Sequence, residues 1–239
     1  MHGTNKVRKQ ELDELGVLQV HRIFRTIQGE GPYSGERCVF VRLSGCNLRC
    51  YWCDTYWNDE ADARMTAAEL ARRVLAELRS ARLVVFTGGE PLRQNVMPVL
   101  HLLASNGVRV QFETTGSLWL PGLGVLVDAL PKHSVDFVVS PKTPKILPVF
   151  SAYATAWKYP LTGEEDPLDG LPFSNTQQPN GTRARLARPL NGAPVYVTPV
   201  DFGEGDTTRQ RRAIAAVSHS ALEHGHIAQV QLHKQLEVE

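Results

Sequence analysis

Short runs of apolar residues recur along the chain and predict a series of β-strands. Cys38–Leu43 alternates apolar and polar side chains, which is typical of a strand with two different faces. Arg82–Phe86 is short, β-branched and aromatic, and it ends in a glycine-containing segment. On these patterns, strands are predicted at Val17–Phe24, Cys38–Leu43, Arg82–Phe86, Val108–Phe112, Val135–Val139, Val195–Val200 and Ile227–Leu232.

Three stretches between these runs predict helices. Thr66 and Glu69 have the spacing of a capping box, in which each side chain satisfies a backbone N–H group of the first helical turn. The helix that they open is rich in Ala, Leu and Arg and is expected to end near Ser80. Two further helices are predicted, at about Asn95–Asn106 and about Thr207–His224.

The alternation of strands and helices predicts the fold class. Strand, loop and helix recurring in this order favour parallel βαβ units, so we expect an α/β protein with a mostly parallel sheet. Ligands of such sheets bind at the carboxyl ends of the strands. Four candidate motifs follow predicted strands and should therefore meet at one rim, namely the cysteines at 46–53, Gly88–Pro91, Glu113–Gly116 and Ser140–Lys142.

From about Thr162 to Pro194 this pattern fades into Gly, Pro, Asn, Gln and Arg. We interpret the stretch as a long surface insertion within a single domain, and not as a domain linker. Its residues Arg183, Arg185 and Arg188 would suit an anionic partner such as a flavodoxin-like electron donor, but a solvated basic loop is the favoured interpretation.

Composition and charge limit the kinds of binding partner and the cellular compartment that we expect. The 239 residues contain 26 Lys and Arg against 25 Asp and Glu, so the net charge of +1 gives no argument for a nucleic-acid or membrane partner. A small-molecule partner is the expectation. The first sixteen residues are polar and charged, and no stretch approaches the roughly 18 to 20 apolar residues that span a bilayer, so we expect a cytoplasmic protein.

Three of the four cysteines form a compact motif. Cys46, Cys50 and Cys53 have C-x₃-C-x₂-C spacing, and three thiolates can bind three corners of a cubane 4Fe-4S cluster. One iron is then left without a protein ligand, which distinguishes a catalytic cluster from a four-cysteine electron carrier. The alternative is a zinc site completed by histidine, but no histidine lies between residues 22 and 100. Cys38 stands apart in an alternating strand and is interpreted as a small buried hydrophobe.

The cysteine motif is followed by Thr87-Gly88-Gly89-Glu90-Pro91, and the pair of motifs resembles the radical S-adenosylmethionine (SAM) superfamily. In that superfamily the open iron binds the amino and carboxylate groups of SAM, and reduction cleaves SAM to a 5′-deoxyadenosyl radical. The resemblance implies a 4Fe-4S cluster held by the three cysteines and a SAM contact from the Gly-Gly-Glu-Pro turn. Glycines suit that turn because they let the backbone approach a ligand closely.

Further residues narrow the resemblance to the 7-carboxy-7-deazaguanine synthase family of deazapurine (queuosine) biosynthesis. They are Phe24–Gly31, Arg42, Cys53-Asp54-Thr55, Glu113–Gly116, Ser140–Lys142 and Gln231–Lys234. Such enzymes convert 6-carboxy-5,6,7,8-tetrahydropterin into 7-carboxy-7-deazaguanine and ammonia, with SAM used catalytically and magnesium assisting. The resemblance implies a lyase with a partial, open (β/α) barrel, an external flavodoxin-like electron donor and a homodimer.

The resemblance also assigns site residues, and their chemistry agrees. The pterin edge needs a mixed donor and acceptor, which Gln28 offers, and Arg42 would meet the substrate carboxylate with a bidentate fork. Thr55 resembles the magnesium ligand. The implied substrate contacts are Ile27, Gln28, Gly29, Glu30, Arg42, Thr87, His233 and the main-chain carboxylate of Glu239. The implied SAM contacts are Trp52, Asp54, Gly88, Gly89, Glu90, Glu113, Ser140, Pro141, Lys142, Thr198 and Pro199, although Glu113 also suits a substrate contact.

Two regions depart from a minimal member of this family. Residues 1–16 are interpreted as an N-terminal extension, followed by one catalytic domain over 17–239 that carries the surface insertion. Two alternative functions stay open at this point. A glycyl-radical-enzyme activase shares the cysteine spacing but acts on a protein. Recognition of a protein substrate does not need residues such as Gln28 and His233, which suit the edge of a pterin. A zinc-binding interaction module would not be an enzyme at all.

Overall fold

A single mixed β-sheet forms the centre of the computed structural model, which describes residues 5–53, 55, 63–173, 185–203 and 205–238. Within these residues nine strands hydrogen-bond in the order β3-β1-β2-β4-β5-β6-β7-β8-β9. Their bounds are β1 Leu18–Ile27, β2 Arg37–Leu43, β3 Ala63–Met65, β4 Leu83–Gly88, β5 Arg109–Thr114, β6 Val135–Val139, β7 Ala154–Leu161, β8 Val195–Pro199 and β9 Ile227–Ala228.

The sheet is parallel over most of its width and does not close on itself. β1 pairs antiparallel with both β2 and β3, whereas each neighbouring pair from β2 to β9 is parallel. The edge strands β3 and β9 stand at opposite ends of the order. The predicted open, mostly parallel α/β sheet is therefore confirmed.

Six helices are described, and they are α1 Ala67–Leu78, α2 Met97–Ser105, α3 Leu123–Ala129, α4 Phe150–Tyr153, α5 Thr207–His224 and α6 Leu232–Gln235. The predicted start of α1 is confirmed, because the Thr66 hydroxyl accepts from the Glu69 backbone N–H at 3.2 Å. The predicted bounds of α5 are also confirmed. Among the described residues, none of these helices has the length and apolar content needed to cross a bilayer.

The core lies between the helices and one face of the sheet. Phe86, Phe112 and Phe137 occupy matching positions on β4, β5 and β6, and their neighbouring rings stack with centroids 5.3 Å apart. All three side chains are almost fully buried. Since side chains alternate across a strand, the residue after each phenylalanine points to the opposite face of the sheet. This alternation directs Thr87 and Glu113 away from the core.

One strand prediction needs correction, and the strands β3 and β7 were not predicted. The predicted strand Ile227–Leu232 is wrong in its second half, because β9 ends at Ala228 and Leu232 begins helix α6. A tertiary contact causes the turn, since the Leu232 backbone N–H donates to the Gly29 carbonyl at 3.2 Å. Strand β7 was not predicted, because Lys and Pro interrupt the apolar pattern of Ala154–Leu161.

The described part of the surface insertion is held by ion pairs. Arg188 donates to both carboxylate oxygens of Asp169, at 2.7 and 2.9 Å, and Arg185 pairs with Asp166 at 2.9 Å. These ion pairs join the two described parts of the insertion to each other, so Arg185 and Arg188 are partnered within the insertion. Arg183 lies outside the described residues. The domain bounds of the sequence analysis remain predictions.

Candidate active site

A cavity of about 260 Å³ opens at the carboxyl ends of the parallel strands. The motifs that were predicted to meet at one rim do meet there. The predicted site residues that line the cavity are Ile27, Gln28, Glu30, Arg42, Cys46, Cys50, Trp52, Cys53, Thr55, Thr87, Gly88, Gly89, Glu113, Ser140, Lys142, Thr198, Pro199 and His233. Gly29, Glu90 and Pro141 are buried behind this wall, and Asp54 and Glu239 lie outside the described residues.

The cysteine loop follows β2 and places on the cavity wall three cysteines that form no disulfide among the described residues. The Cys53 backbone N–H donates to the Cys50 carbonyl at 3.2 Å, and the Cys46 sulfur accepts from the Leu48 backbone N–H at 3.4 Å. Burial raises the pKa of Cys46 to about 12, so this thiol keeps its proton until a metal replaces it. Three cysteines around one cavity fit the three-cysteine ligand set of an iron–sulfur cluster.

A single metal ion and an iron–sulfur cluster place different demands on their protein ligands. Among the described residues, no three Cys, His, Asp or Glu side chains are grouped closely enough to hold one metal ion. A zinc site would bring its ligands within about 2.0–2.3 Å of a common point. A cubane spreads its cysteine ligands over separate irons, so it needs no such common point.

The Gly-Gly-Glu-Pro turn packs directly against the cysteine loop. The Gly89 backbone N–H donates to the Leu43 carbonyl at 3.0 Å, at the end of β2. A Cβ atom at Gly88 would overlap the Leu43 backbone, and one at Gly89 would overlap the Gly45 carbonyl. The close approach of this turn to the backbone of the cysteine loop therefore requires glycine at both positions. This reason adds to the ligand contact that was predicted from the sequence.

Glu90 connects this turn to the end of the next strand. Its carboxylate accepts from the Thr114 hydroxyl at 2.7 Å, from the Thr115 hydroxyl and backbone N–H at 2.7 and 2.8 Å, and from the Leu92 backbone N–H at 3.1 Å. Burial raises the pKa of Glu90, and these hydrogen bonds oppose that effect. The side chain thus joins the ends of β4 and β5 and supports the cavity wall from behind. Its predicted SAM contact remains a prediction.

Lys158 is a functional residue that the sequence analysis missed. It projects from β7 into the cavity, is 8% exposed, and its Nζ atom lies 2.8 Å from Glu30 Oε2 and 3.4 Å from Glu113 Oε2. Burial alone would lower the pKa of Lys158, but the two carboxylates outweigh burial and raise it. Burial likewise opposes ionisation of Glu30, but Lys158 outweighs it and lowers the Glu30 pKa. Lys158 and Glu30 are consequently held in their charged forms.

Glu113 belongs to the same network. Its Oε1 atom accepts from Gln28 Nε2 at 3.2 Å, and its Oε2 atom accepts from the Thr87 hydroxyl at 3.3 Å. The sequence analysis assigned Glu113 to SAM but also noted a substrate contact. Its neighbours are Gln28, Glu30 and Thr87, all predicted substrate residues, and this geometry favours the substrate assignment.

Arg42 and Thr55 form a second polar centre. Arg42 Nη1 donates to the Thr55 hydroxyl at 3.2 Å, and the guanidinium carbon lies 5.5 Å from the centroid of the Phe24 ring. The Nε atom of Arg42 is buried without a hydrogen-bond partner among the described residues. Arg42 itself is half-buried and is among the residues that line the cavity. A guanidinium there is suited to an anionic ligand.

The SAM-assigned side of the cavity carries another lysine. Lys142 Nζ donates to the Ser140 carbonyl at 3.0 Å and also contacts the Ser140 hydroxyl. It lies 5.5 Å from the centroid of the Trp52 ring. Burial lowers the pKa of Lys142 to about 8. This lysine is therefore cationic at neutral pH and close to the cysteine loop.

The carboxyl-terminal segment borders the cavity next to Gly29 and Gly31. The Gln229 side chain accepts from the Gly31 backbone N–H at 2.6 Å and donates to its carbonyl at 2.9 Å. His233 packs against Gly29 so closely that a Cβ atom on the glycine would overlap its ring. Burial lowers the pKa of His233, which favours the neutral imidazole. Gln229 gave no sequence signal, because its partner lies 198 residues earlier.

Comparison with known proteins gives consistent matches. The model of the Radical SAM superfamily matches residues 40–138. A 7-carboxy-7-deazaguanine synthase from Rhodospirillum rubrum is 41% identical over 248 residues, covering 100% of both chains. Another, from Hyperthermus butylicus, is 48% identical over 109 residues, which cover 44% of this chain and 46% of the relative. The crystal structure of QueE from Escherichia coli has a TM-score of 0.61 at 21% identity, covering 91% of this chain and 95% of that chain, and is similar in fold.

Proposed function

Because the chain belongs to the 7-carboxy-7-deazaguanine synthase family of radical SAM enzymes, we propose that it converts 6-carboxy-5,6,7,8-tetrahydropterin into 7-carboxy-7-deazaguanine and ammonia. It is a carbon–nitrogen lyase that contracts a ring, and SAM is used catalytically. The observation that carries this proposal is 41% identity over the full length of both chains. The predicted substrate and SAM residues around one cavity support it.

The residues fit the cofactors that radical SAM chemistry requires. Cys46, Cys50 and Cys53 would hold a 4Fe-4S cluster, since all three lie on the wall of one cavity. SAM would lie between the Gly-Gly-Glu-Pro turn and the Ser140–Lys142 segment. When bound, the cluster and SAM supply the one-electron chemistry that starts the rearrangement. The chain itself binds and orients the substrate and excludes water from the cavity.

The Glu30–Lys158–Glu113 network supports recognition of the pterin ring. An ionised carboxylate accepts hydrogen bonds at both oxygens from the guanidine-like edge of the ring, whereas protonation would turn one of these oxygens into a donor. Lys158 keeps Glu30 ionised inside a buried site, as the lowered Glu30 pKa indicates. Gln28 and Thr87, hydrogen-bonded to Glu113, add neutral donors and acceptors around the same edge. Neutral His233 covers the ring from the side of Gly29.

Arg42 and Thr55 support a site for the substrate carboxylate and magnesium. The Arg42 guanidinium can bind the carboxylate as a bidentate fork, and the Thr55 hydroxyl is a hard oxygen ligand of the kind that magnesium prefers. Arg42 Nη1 is only 3.2 Å from that hydroxyl and would repel a bare dication. The proposed magnesium site is therefore complete only when the substrate carboxylate balances both cations.

Family membership also supports the remaining parts of the proposal. An external one-electron donor of flavodoxin type would reduce the cluster, the enzyme would act in the cytoplasm as a homodimer, and the terminal carboxylate of Glu239 would join His233 over the pterin. Light scattering coupled to size-exclusion chromatography tests the homodimer. Reduction of the reconstituted protein by purified flavodoxin, followed by its visible absorbance, tests the donor.

The direct test is anaerobic turnover. Protein reconstituted with iron and sulfide receives SAM, a reductant, magnesium and 6-carboxytetrahydropterin, and the deazapurine product is measured by mass spectrometry. We expect about four irons per chain, product formation, and far less than one SAM cleaved per product. SAM cleavage without consumption of the pterin would favour the glycyl-radical-enzyme activase. A colourless protein with one tightly bound zinc would favour the interaction module.

A further inference from the structure

Residues 5–11, named here the N-terminal strap, lie along the cysteine loop. Val7 pairs with Cys46 in a parallel β-bridge, and the Arg8 backbone N–H donates to the Cys46 carbonyl at 2.8 Å. A second parallel bridge at Glu11 holds the far end of the strap. A solvated extension would make no such contacts. The strap is therefore part of the wall that carries the first cysteine.

Asn5 extends the strap to the other end of the cysteine loop. Its side-chain Nδ2 donates to the Thr55 carbonyl at 2.7 Å and lies 3.9 Å from the Cys53 sulfur, within the range of a weak N–H···S hydrogen bond. Asn5 is only 5% exposed, so water does not compete freely for this amide. The strap consequently holds both ends of the loop, with Cys46 bound through the backbone and Cys53 bound through Asn5.

We propose that Asn5 is a positioning residue for the iron–sulfur cluster, through donation of its amide to the Cys53 sulfur and to the Thr55 carbonyl. A thiolate that binds iron is a stronger acceptor than a thiol, because the sulfur carries negative charge. Hydrogen bonds to cluster sulfurs stabilise the reduced and more negative cluster, and they therefore raise its reduction potential. The Thr55 contact fixes the backbone that presents the proposed magnesium ligand. This inference rests on the proposed function, in that it requires the cluster.

The test compares two amides on the same strap in the full-length reconstituted protein. Asn5→Ala removes the donor to the cysteine loop. Gln10→Ala is the matched control, because Gln10 Nε2 donates to the Leu92 carbonyl at 2.8 Å and to the Trp119 carbonyl at 3.0 Å instead. The readouts are iron per chain and the midpoint potential of the cluster, measured by an anaerobic redox titration followed by electron paramagnetic resonance.

We expect a more negative midpoint potential for Asn5→Ala and the wild-type potential for Gln10→Ala. Equal potentials in all three proteins, at equal iron content, would overturn the inference. If only Asn5→Ala fails to retain iron, thermal unfolding of the metal-free wild-type and variant proteins distinguishes a role in cluster positioning from a role in folding. A wild-type midpoint temperature for metal-free Asn5→Ala supports positioning, whereas a lowered one assigns Asn5 to folding and overturns the inference. Absence of iron from the wild-type protein itself would overturn the proposed function and the inference together.

Discussion

Lys158 Nζ and Glu30 Oε2 lie 2.8 Å apart, although the two residues are separated by 128 positions in the chain. Glu113 completes the arrangement at 3.4 Å from the same ammonium group. Without this lysine, the two half-buried carboxylates would face one another with no cation between them. The network therefore sets the charge of the cavity at the place proposed for the pterin edge.

Replacement of the lysine, Lys158→Met, should weaken substrate binding. The volume is nearly conserved, but Glu30 loses the charge-assisted hydrogen bond that holds it ionised and in place. We expect the KM for the pterin to rise about tenfold or more, since such a bond contributes about 1.5–3 kcal/mol. Steady-state kinetics of the reconstituted enzyme measure this effect. Unchanged KM would remove Lys158 from substrate recognition.

The same variant should change the pH dependence of stability. The lowered Glu30 pKa of the wild type contributes stability that is complete above the ordinary value of 4.5 and is lost as the pH falls through the folded pKa. Lys158→Met lacks this contribution, and its free energy of unfolding at neutral pH should be about 3 kcal/mol lower. Urea unfolding at several pH values should show the two free energies of unfolding converging below pH about 4.5. A constant difference across that range would contradict the charge assignment.

Arg42→Ala should separate substrate binding from cluster binding. The guanidinium contacts Thr55 and Phe24, and we expect a rise of about tenfold to a hundredfold in the KM for the pterin, with iron per chain unchanged. Arg25→Ala is the matched control, because Arg25 pairs with Glu77 at 3.2 Å on the surface of the neighbouring strand. Loss of iron in Arg42→Ala would refute the proposed carboxylate contact as its main role.

Gly89→Ala should disrupt the packing of the Gly-Gly-Glu-Pro turn on the cysteine loop. The added Cβ overlaps the Gly45 carbonyl, which is backbone and moves only with the loop. We expect a loss of about 3 kcal/mol in the free energy of unfolding and reduced iron per chain. Gly192→Ala is the control, because a Cβ there meets no atom within 4 Å. Denaturant unfolding and iron analysis of both variants measure the difference, and equal behaviour would contradict the packing argument.

Gly29→Ala should act through His233. The added Cβ overlaps the imidazole, a side chain that can rotate away, so we expect a small stability loss of about 1 kcal/mol with a clear rise in the KM for the pterin. His233→Ala should raise the KM similarly. The double variant should resemble His233→Ala alone, because both changes remove the same contact. Additive effects on KM in the double variant would show that Gly29 acts independently of the histidine.

The sequence by itself determined the parts of this protein that depend on neighbouring residues. The C-x₃-C-x₂-C spacing, the Gly-Gly-Glu-Pro turn and the capping pair of Thr66 and Glu69 each lie within a few positions, where backbone geometry and side-chain chemistry are encoded locally. Because these motifs follow predicted parallel strands, the sequence also determined that they meet at one rim of the sheet. The bounds of β6 and α5 followed from local pattern for the same reason.

Only the tertiary structure decided which distant residues complete the site. Lys158 lies on a strand whose local pattern is ambiguous, and its role depends on Glu30, which the fold brings within hydrogen-bonding distance. Asn5 reaches Thr55 across 50 positions, and Leu232 turns into a helix because it bonds to Gly29. Such contacts arise from the order of strands in the sheet and from burial. The residues next to each partner in the sequence therefore do not predict them.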